Sequence, residues 1–411
     1  MDQIAASPGG IGVWSINRLI KRSKKRIYTD KINTKSTYSK HKKKQNKNTY
    51  VKHKTNNQIK KKLTDKQTCY LPTKHITNPH KYTTTSSHTF EITPYYPINQ
   101  KFQSSKYSKY KTFGDPFDQK QDGNIRIVSQ NINCLGIKAK NNSKQERLIN
   151  WLIQNEIDII GLQELGIAFH LVPPHLKLKE RIQDPRWNKI RICNANNKHE
   201  NINRFQYGGT AVATFNEAAH RVKATGYDIT GLGRWSWILF EGQNKYLTRI
   251  ISAYVPCKSS DNYRRTVYNQ HKRYFLNQGI DECPRILFQL HLVKSIKQWQ
   301  QQNENIVLLI DMNENLNRMG PLQTALKYEC QLTDPIREIY HNQNINLPPT
   351  SLTGSVPIDG IFVSSKLKHI TKGGWINIAE SIGDHRALYI DIPLKTLLGE
   401  NPFHKKHQCT E

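Results

Sequence analysis

Six apolar, strand-like runs in this chain each open or close on a short polar motif. The motifs read SQNINCLG (129–136), IIGLQE (159–164), ISAYVP (251–256), LLIDMNEN (308–315), PIDGIFVS (357–364) and SIGDHRALYIDI (381–392). This arrangement puts Asn131, Glu164, Tyr254, Asp311, Asn313, Asp359, Asp384 and His385 at strand ends. Open α/β folds gather their polar side chains at that place.

The spacing between the runs supports the same class. Regular structure is expected to begin at Asn124 with IRIVSQ as a strand. Ser143 with Glu146 then reads as a capping box opening a helix that carries Leu148, Ile149, Trp151 and Leu152 on one face. IDIIGLQE follows as a second strand, and if the two strands are parallel, Asn131 and Glu164 share one sheet edge. Further strands are expected at GGTAVATF, SWILFEG, LTRIISAYV, NIVLLI, IDGIFVS and RALYIDI, with a helix over 285–302 before Asp311. Such a mixture predicts an α/β sandwich of two packed sheets flanked by helices, and residues 124–395 suit one domain of that kind.

Outside that span the composition changes. Residues 1–123 hold 26 Lys and Arg against 7 Asp and Glu, whereas the remainder holds 36 against 25. The runs KRSKKR, HKKK and IKKKL lie among Asn, Thr, Ser, Tyr and Gln with little apolar periodicity, so residues 1–123 are expected to be a disordered basic tail. Such a tail suits phosphate polymers or nuclear import. The plain alternative is a compositional bias without a specific role. Residues 396–411 are expected to be a polar C-terminal tail. No run reaches the roughly 20 apolar residues of a membrane span, and SPGGIGVWSINRLI is too short and Gly-rich for a signal peptide. The seven cysteines are widely spaced and form no C-x-x-C pair, which argues against a zinc site or a disulfide framework and fits a reducing compartment. A soluble nuclear protein without a membrane partner is expected, with organelle import as the alternative.

In their order, the six motifs resemble those of the endonuclease/exonuclease/phosphatase superfamily, and the resemblance covers 124–395. It implies a four-layer α/β sandwich and Mg²⁺-dependent hydrolysis of phosphate esters, with Mn²⁺ as a substitute. QNINCLG, PIDGIF and DHRALYID look most like the nicking endonucleases of LINE-type retrotransposons and their apurinic-endonuclease relatives. Inositol polyphosphate phosphatases would instead carry Trp-Cys-Asp-Arg in place of PIDGIF. Three positions depart from the pattern: Gln130 where many relatives have Trp, Asn133 where apurinic endonucleases have Asp, and Gly383 in place of the usual Ser. The resemblance also implies a DNA partner. Because no polymerase motif follows, a free-standing or truncated nuclease is expected, with a reverse transcriptase or another mobile-element protein as a partner in trans.

The family further implies roles for single residues. Glu164 would be the main metal ligand, with Asn131 and Asp384 completing the shell. Asp311 would position or deprotonate the attacking water, and Asn313 would orient water and phosphate. His385 would contact the scissile phosphate with Asp359 on its other ring nitrogen, and Tyr254 would donate to a phosphate oxygen. Whether Asp311 or His385 is the general base stays open at this point. For DNA contacts the sequence offers Arg264, Arg265, Trp235 and Trp237, whose plain reading is solvated charge and buried aromatic packing. Two other functions are carried as alternatives: a phosphatase of small phosphorylated molecules, and a non-catalytic nucleic-acid-binding protein.

Overall fold

A computed structural model describes residues 114, 117, 119–136, 142–199, 205–258, 265–343 and 347–399. The tail expected over 1–123 therefore lies outside the described residues except at 114, 117 and 119–123, and the tail expected over 396–411 except at 396–399.

Twelve strands among the described residues form two mixed six-stranded sheets. The first contains β1 (Asn124–Asn131), β2 (Ile159–Gln163), β3 (Ile190–Ala195), β4 (Thr210–Phe215), β11 (Lys372–Trp375) and β12 (Leu388–Pro393), in the order β11-β12-β1-β2-β4-β3. The second contains β5 (Val222–Tyr227), β6 (Trp235–Glu241), β7 (Leu247–Tyr254), β8 (Glu304–Asp311), β9 (Leu332–Thr333) and β10 (Asp359–Ser364), in the order β5-β6-β7-β8-β10-β9. The longer helices are α1 (Asn142–Gln154), α2 (Leu178–Ile182), α3 (Asn216–His220), α4 (Val267–Asn277), α5 (Pro284–Gln301), α6 (Pro321–Tyr328), α7 (Pro335–Asn342) and α8 (Leu394–Leu398).

Strand alternation decides the layering. Along β1 and β2, Ile127 and Ile159 face the second sheet and meet Ile250, Val307 and Leu309. Their neighbours Val128, Ile160 and Leu162 face outward onto Leu148, Trp151 and Leu152 of α1. On the far side, Leu308 and Ile310 of β8 pack on Phe288, Leu292 and Ile296 of α5. The result is helix, sheet, sheet, helix, the expected four layers.

Each sheet is built around one parallel pair, β1 with β2 and β7 with β8, flanked on both sides by antiparallel strands. Register aligns Asn131 with Gln163 in the first sheet. In the second it aligns Tyr254 with Asp311 and Asp311 with Asp359. Near this edge the sheets approach closely at Gly161, where a Cβ would lie 2.6 Å from Leu309 Cδ1 and 3.2 Å from Ser252 Cβ. Gln163 Nε2 crosses the same gap to Ser252 Oγ at 3.0 Å.

The structure departs from the sequence reading in detail. Helix α1 begins at Asn142, so Ser143 lies inside its first turn and does not cap it. Strands β3, β5, β9 and β11 were not anticipated. β9 and β11 are two and four residues long, and β5 alternates half-buried and exposed residues with little apolar signal. No helix among the described residues is long and apolar enough to cross a membrane.

Candidate active site

The parallel pairs end at the same edge, and their last residues meet. Asn131, closing β1, donates from Nδ2 to Asp311 Oδ2 at 2.9 Å, so a carboxamide from one sheet holds a carboxylate from the other. The second oxygen, Oδ1 of Asp311, accepts the backbone N–H of Asn313 at 3.0 Å. Asp359, opening β10 beside Asp311, pairs through Oδ2 with His385 Nδ1 at 2.8 Å. His385 itself precedes β12 and is fixed through its backbone, whose carbonyl accepts from Gln130 Nε2 at 3.1 Å. Thus Asn131, Asp311, Asp359, His385 and the Asn313 backbone form one connected array. Thr350 supports it from outside, its hydroxyl accepting the backbone N–H groups of Ile358 at 2.9 Å and Asp359 at 3.2 Å.

Electrostatics within the array follow from burial and crowding. Asp311 is almost fully buried, and burial, then Asp359 and Glu164, push its carboxyl well above the usual range, against His385 and the Asn131 bond. For His385 burial opposes the charged ring, but Asp359, with Asp311 and Asp384 behind it, raises its pKa to about 10. The ring is therefore an imidazolium at neutral pH, with Nδ1 given to Asp359 and Nε2–H left as a donor. Burial also raises the Glu164 carboxyl, while Tyr254, whose hydroxyl is bonded to it, lowers it. Burial first, then Glu164 and Asp311, hold Tyr254 well above the ordinary phenol range, so its hydroxyl stays protonated.

Backbone strain collects in the same loops. Asn133, Cys134, Glu164 and Asn313 all have positive φ, at 42°, 67°, 53° and 48°. The left-handed turn at Asn313 takes it off the strand, and its Nδ2 donates to Val255 O at 2.8 Å. Simple alternation from Asp311 therefore does not describe how Asn313 is oriented, because β8 ends at Asp311. Arg285 of α5 was not singled out from sequence. It binds the carbonyls of Pro256 (2.8 Å), Met312 (3.2 Å) and Asn313 (3.2 Å), and the Glu314 carboxylate at 3.2 Å, tying the loops after β7 and β8 together.

Two sets of residues bring oxygen or nitrogen atoms together where a divalent cation could bind. Among the described residues, one group of three has ligand atoms that converge within 4.8 Å: Asp311, Asp359 and His385. A metal ligand must be deprotonated, whereas His385 is held as an imidazolium by Asp359, so this group fits an ion pair beside a carboxyl better than a metal cage. The second set is Glu164 and Asp384, with Asn131 beside them. Asp384 Oδ1 is buried without a hydrogen-bond partner, while Oδ2 accepts from Asn133 Nδ2 at 2.8 Å. Asp384 and Asp359 both add to the negative field at Glu164. An orphaned carboxylate oxygen in a field of like charges suits Mg²⁺, which takes oxygen ligands and commonly one or two carboxylates.

The structure corrects the two aromatic members of the nucleic-acid expectation. Trp235 is 2% exposed and packs edge-on against Phe288 at 5.5 Å, so it cannot stack on a base. Trp237 is half-buried and covered by the Arg249 guanidinium, 3.8 Å from its ring centre, and the Trp299 ring, edge-on to Trp237, lies 4.4 Å from the same cation. Arg249 is in turn bonded through two nitrogens to Glu304 at 2.5 and 2.8 Å. These aromatics are core, as their plain reading has it. Arg265 is exposed, and Arg264 lies outside the described residues.

No family model matches the chain, and no curated protein matches it. Among solved structures it is similar to the catalytic domain of APE2 from Xenopus laevis, at 16% identity over 66% of this chain and 92% of that one, with a TM-score of 0.48. It is similar to the human Nocturnin catalytic domain at 12% identity, over 67% and 96%, with a TM-score of 0.46. A third is the 3′ phosphatase NExo from Neisseria bound to a product DNA hairpin, at 16% identity, over 65% and 99%, with a TM-score of 0.45. Likeness this distant decides neither substrate nor chemistry, which the side chains themselves must carry.

Proposed function

We propose that this domain is a Mg²⁺-dependent endonuclease of the endonuclease/exonuclease/phosphatase superfamily that nicks DNA and is of mobile-element type. The observation that carries the reading is the array in which Asn131 holds Asp311 across the two sheets while Asp359 holds His385 beside it. Phosphodiester hydrolysis needs an acceptor for the proton of an in-line water and positive charge at the phosphate. Asp311 is the acceptor: both its oxygens are oriented by bonds, and burial with Asp359 beside it raises its affinity for a proton. His385 is the cationic donor, because an imidazolium has no lone pair with which to take a proton. Glu164 and Asp384, with Asn131, would hold Mg²⁺ or Mn²⁺, which supplies further positive charge to the phosphate oxygens. Tyr254 keeps its proton and is bonded to Glu164, which supports a role in orienting that carboxylate.

The basic composition of the chain favours a nucleic acid over a small phosphomonoester. A nuclear location belongs to the same proposal and is supported by the basic runs of the chain. The test is incubation of the full chain with supercoiled plasmid in Mg²⁺, in Mn²⁺ and in EDTA, beside His385→Ala and Asp311→Ala proteins shown to be folded by circular dichroism. Metal-dependent conversion to open circles by the native protein alone supports the reading. Phosphate release from small esters without nicking would replace it with the phosphatase, and DNA retention without any hydrolysis would replace it with a binding protein.

A further inference from the structure

Lys144 sits in the first turn of α1, where a cation is disfavoured by the helix dipole, and its side chain is half-buried. Its ammonium donates to three successive backbone carbonyls: Ile132 at 2.5 Å, Asn133 at 3.0 Å and Cys134 at 3.1 Å. All three of its donors are thereby used on one turn. That turn contains two consecutive non-glycine residues in the left-handed region, Asn133 and Cys134, a conformation that persists only where its surroundings enforce it. Three carbonyl dipoles aimed at one point repel each other unless a positive charge sits there.

The turn touches one member of the array and both carboxylate residues read above as metal ligands. The Asn133 backbone N–H donates to Asn131 Oδ1 at 3.0 Å, Asn133 Nδ2 donates to Asp384 Oδ2 at 2.8 Å, and the Cys134 N–H donates to Glu164 O at 2.7 Å. Each partner is one of the residues read above as a metal or water-positioning group. We infer that Lys144 is a positioning residue whose ammonium replaces a bound cation at the centre of the 132–134 turn and thereby sets Asn131, Asp384 and Glu164 in register. This rests on the nuclease reading for its catalytic consequence but not for the clamp itself.

The experiment compares the full native chain with Lys144→Met, which keeps the length and removes the charge. Plasmid nicking gives kcat and KM, and hydrogen exchange gives the protection of the amides of residues 131–135. The expected result is a fall in kcat of about tenfold or more with KM within about twofold, as for sub-ångström misplacement of reacting groups. Exchange should rise at 131–135 without a general rise elsewhere. Unchanged exchange at 131–135, or an unchanged kcat in an active enzyme, would overturn the clamp. If Lys144→Met does not fold, Lys144→Arg keeps the charge but spreads it over a plane that cannot meet three converging carbonyls. Loss of kcat with a native melting point then supports the inference, and native kcat overturns it. Should the native chain not nick DNA at all, the exchange comparison still reads the clamp and the nuclease reading alone falls.

Discussion

Asn131 and Asp311 stand 2.9 Å apart, and nothing in the chain between them brings them together except the packing of one sheet on the other. The carboxamide is at the end of β1 and the carboxylate at the end of β8, 180 residues later. Their bond therefore reports the sheet-to-sheet spacing, and Gly161 sets that spacing nearby.

Replacing Asn131 with Asp tests the pair directly. Two buried carboxylates would then share one hydrogen-bond distance, with the Asp311 donor lost. Nicking is expected to fall by about a hundredfold or more, and the urea midpoint should drop by the equivalent of about 1–3 kcal/mol. Native-like activity in Asn131→Asp would show that the carboxamide does not hold Asp311.

The Asp359→Asn protein keeps the shape of the His385 partner and removes its charge. The imidazolium then loses its strongest support against burial. Plasmid nicking at neutral pH is expected to fall by about 10²-fold or more, a loss typical of removing a positioned acid–base group. Circular dichroism should show an unchanged fold, and an activity loss that disappears on lowering the pH would confirm that charge on the ring is what matters.

Gly383, where the motif resemblance would place Ser, has no room for a side chain. A Cβ there would lie 2.3 Å from Asn131 O and 3.2 Å from the Ile132 backbone. Neither neighbour is a flexible side-chain end, so one of the two loops must move. Gly383→Ser is expected to cost about 1–3 kcal/mol, the usual penalty of overpacking, and to lower nicking by displacing Asn131; thermal melting and the plasmid assay read the two effects.

Asp334 caps α7 by accepting the Arg337 N–H at 3.0 Å, yet burial lifts its pKa to about 7. The folded value exceeds the unfolded one of about 3.9, so folding favours the protonated form. That contribution is complete below pH ~4 and is lost as pH rises through ~7. Asn caps as well as Asp and carries no charge. Asp334→Asn should therefore match the native protein near pH 4 and exceed it at pH 8 by on the order of 2–4 kcal/mol, measured by urea denaturation at the two pH values.

Trp237→Ala separates core from nucleic-acid contact. The ring covers Arg249, which is bound to Glu304 and stacked on Trp299. Truncation is expected to cost about 3 kcal/mol of stability and to leave the salt dependence of DNA binding unchanged, since no phosphate contact is removed. A reduced salt slope in a folded Trp237→Ala protein would return this residue to the binding surface.

The architecture was legible because the strands that matter are long, apolar and bounded by turn residues. The runs ending at Asn131, Gln163, Tyr254 and Asp311 are the central strands, buried on both faces, and their positions follow from hydrophobicity alone. Strand β5 escaped notice because its residues alternate between half-buried and exposed and include Gly and Lys. Lys144 and Arg285 escaped for another reason. All of the Lys144 contacts and three of the four Arg285 contacts are with backbone carbonyls, which leave no mark in the sequence of the acceptor. For Trp235 and Trp237 the sequence leaves groove contact and buried packing both open, because an aromatic beside Arg and Ser carries no sign of which way it points. The motifs named the groups of the array; the clamps that hold those groups could be seen only in three dimensions.

Strand β12 pairs with β1 at the heart of the first sheet, although one closes the domain and the other opens it. During synthesis β1 leaves the ribosome with one of its two long edges unpaired, and that edge stays so until some 260 residues later. His385 and Asp384 arrive with the same late segment. An unfinished or proteolytically halved chain thus carries Asn131 or His385 but never the whole array, which exists only once the last strand of the first sheet is in place.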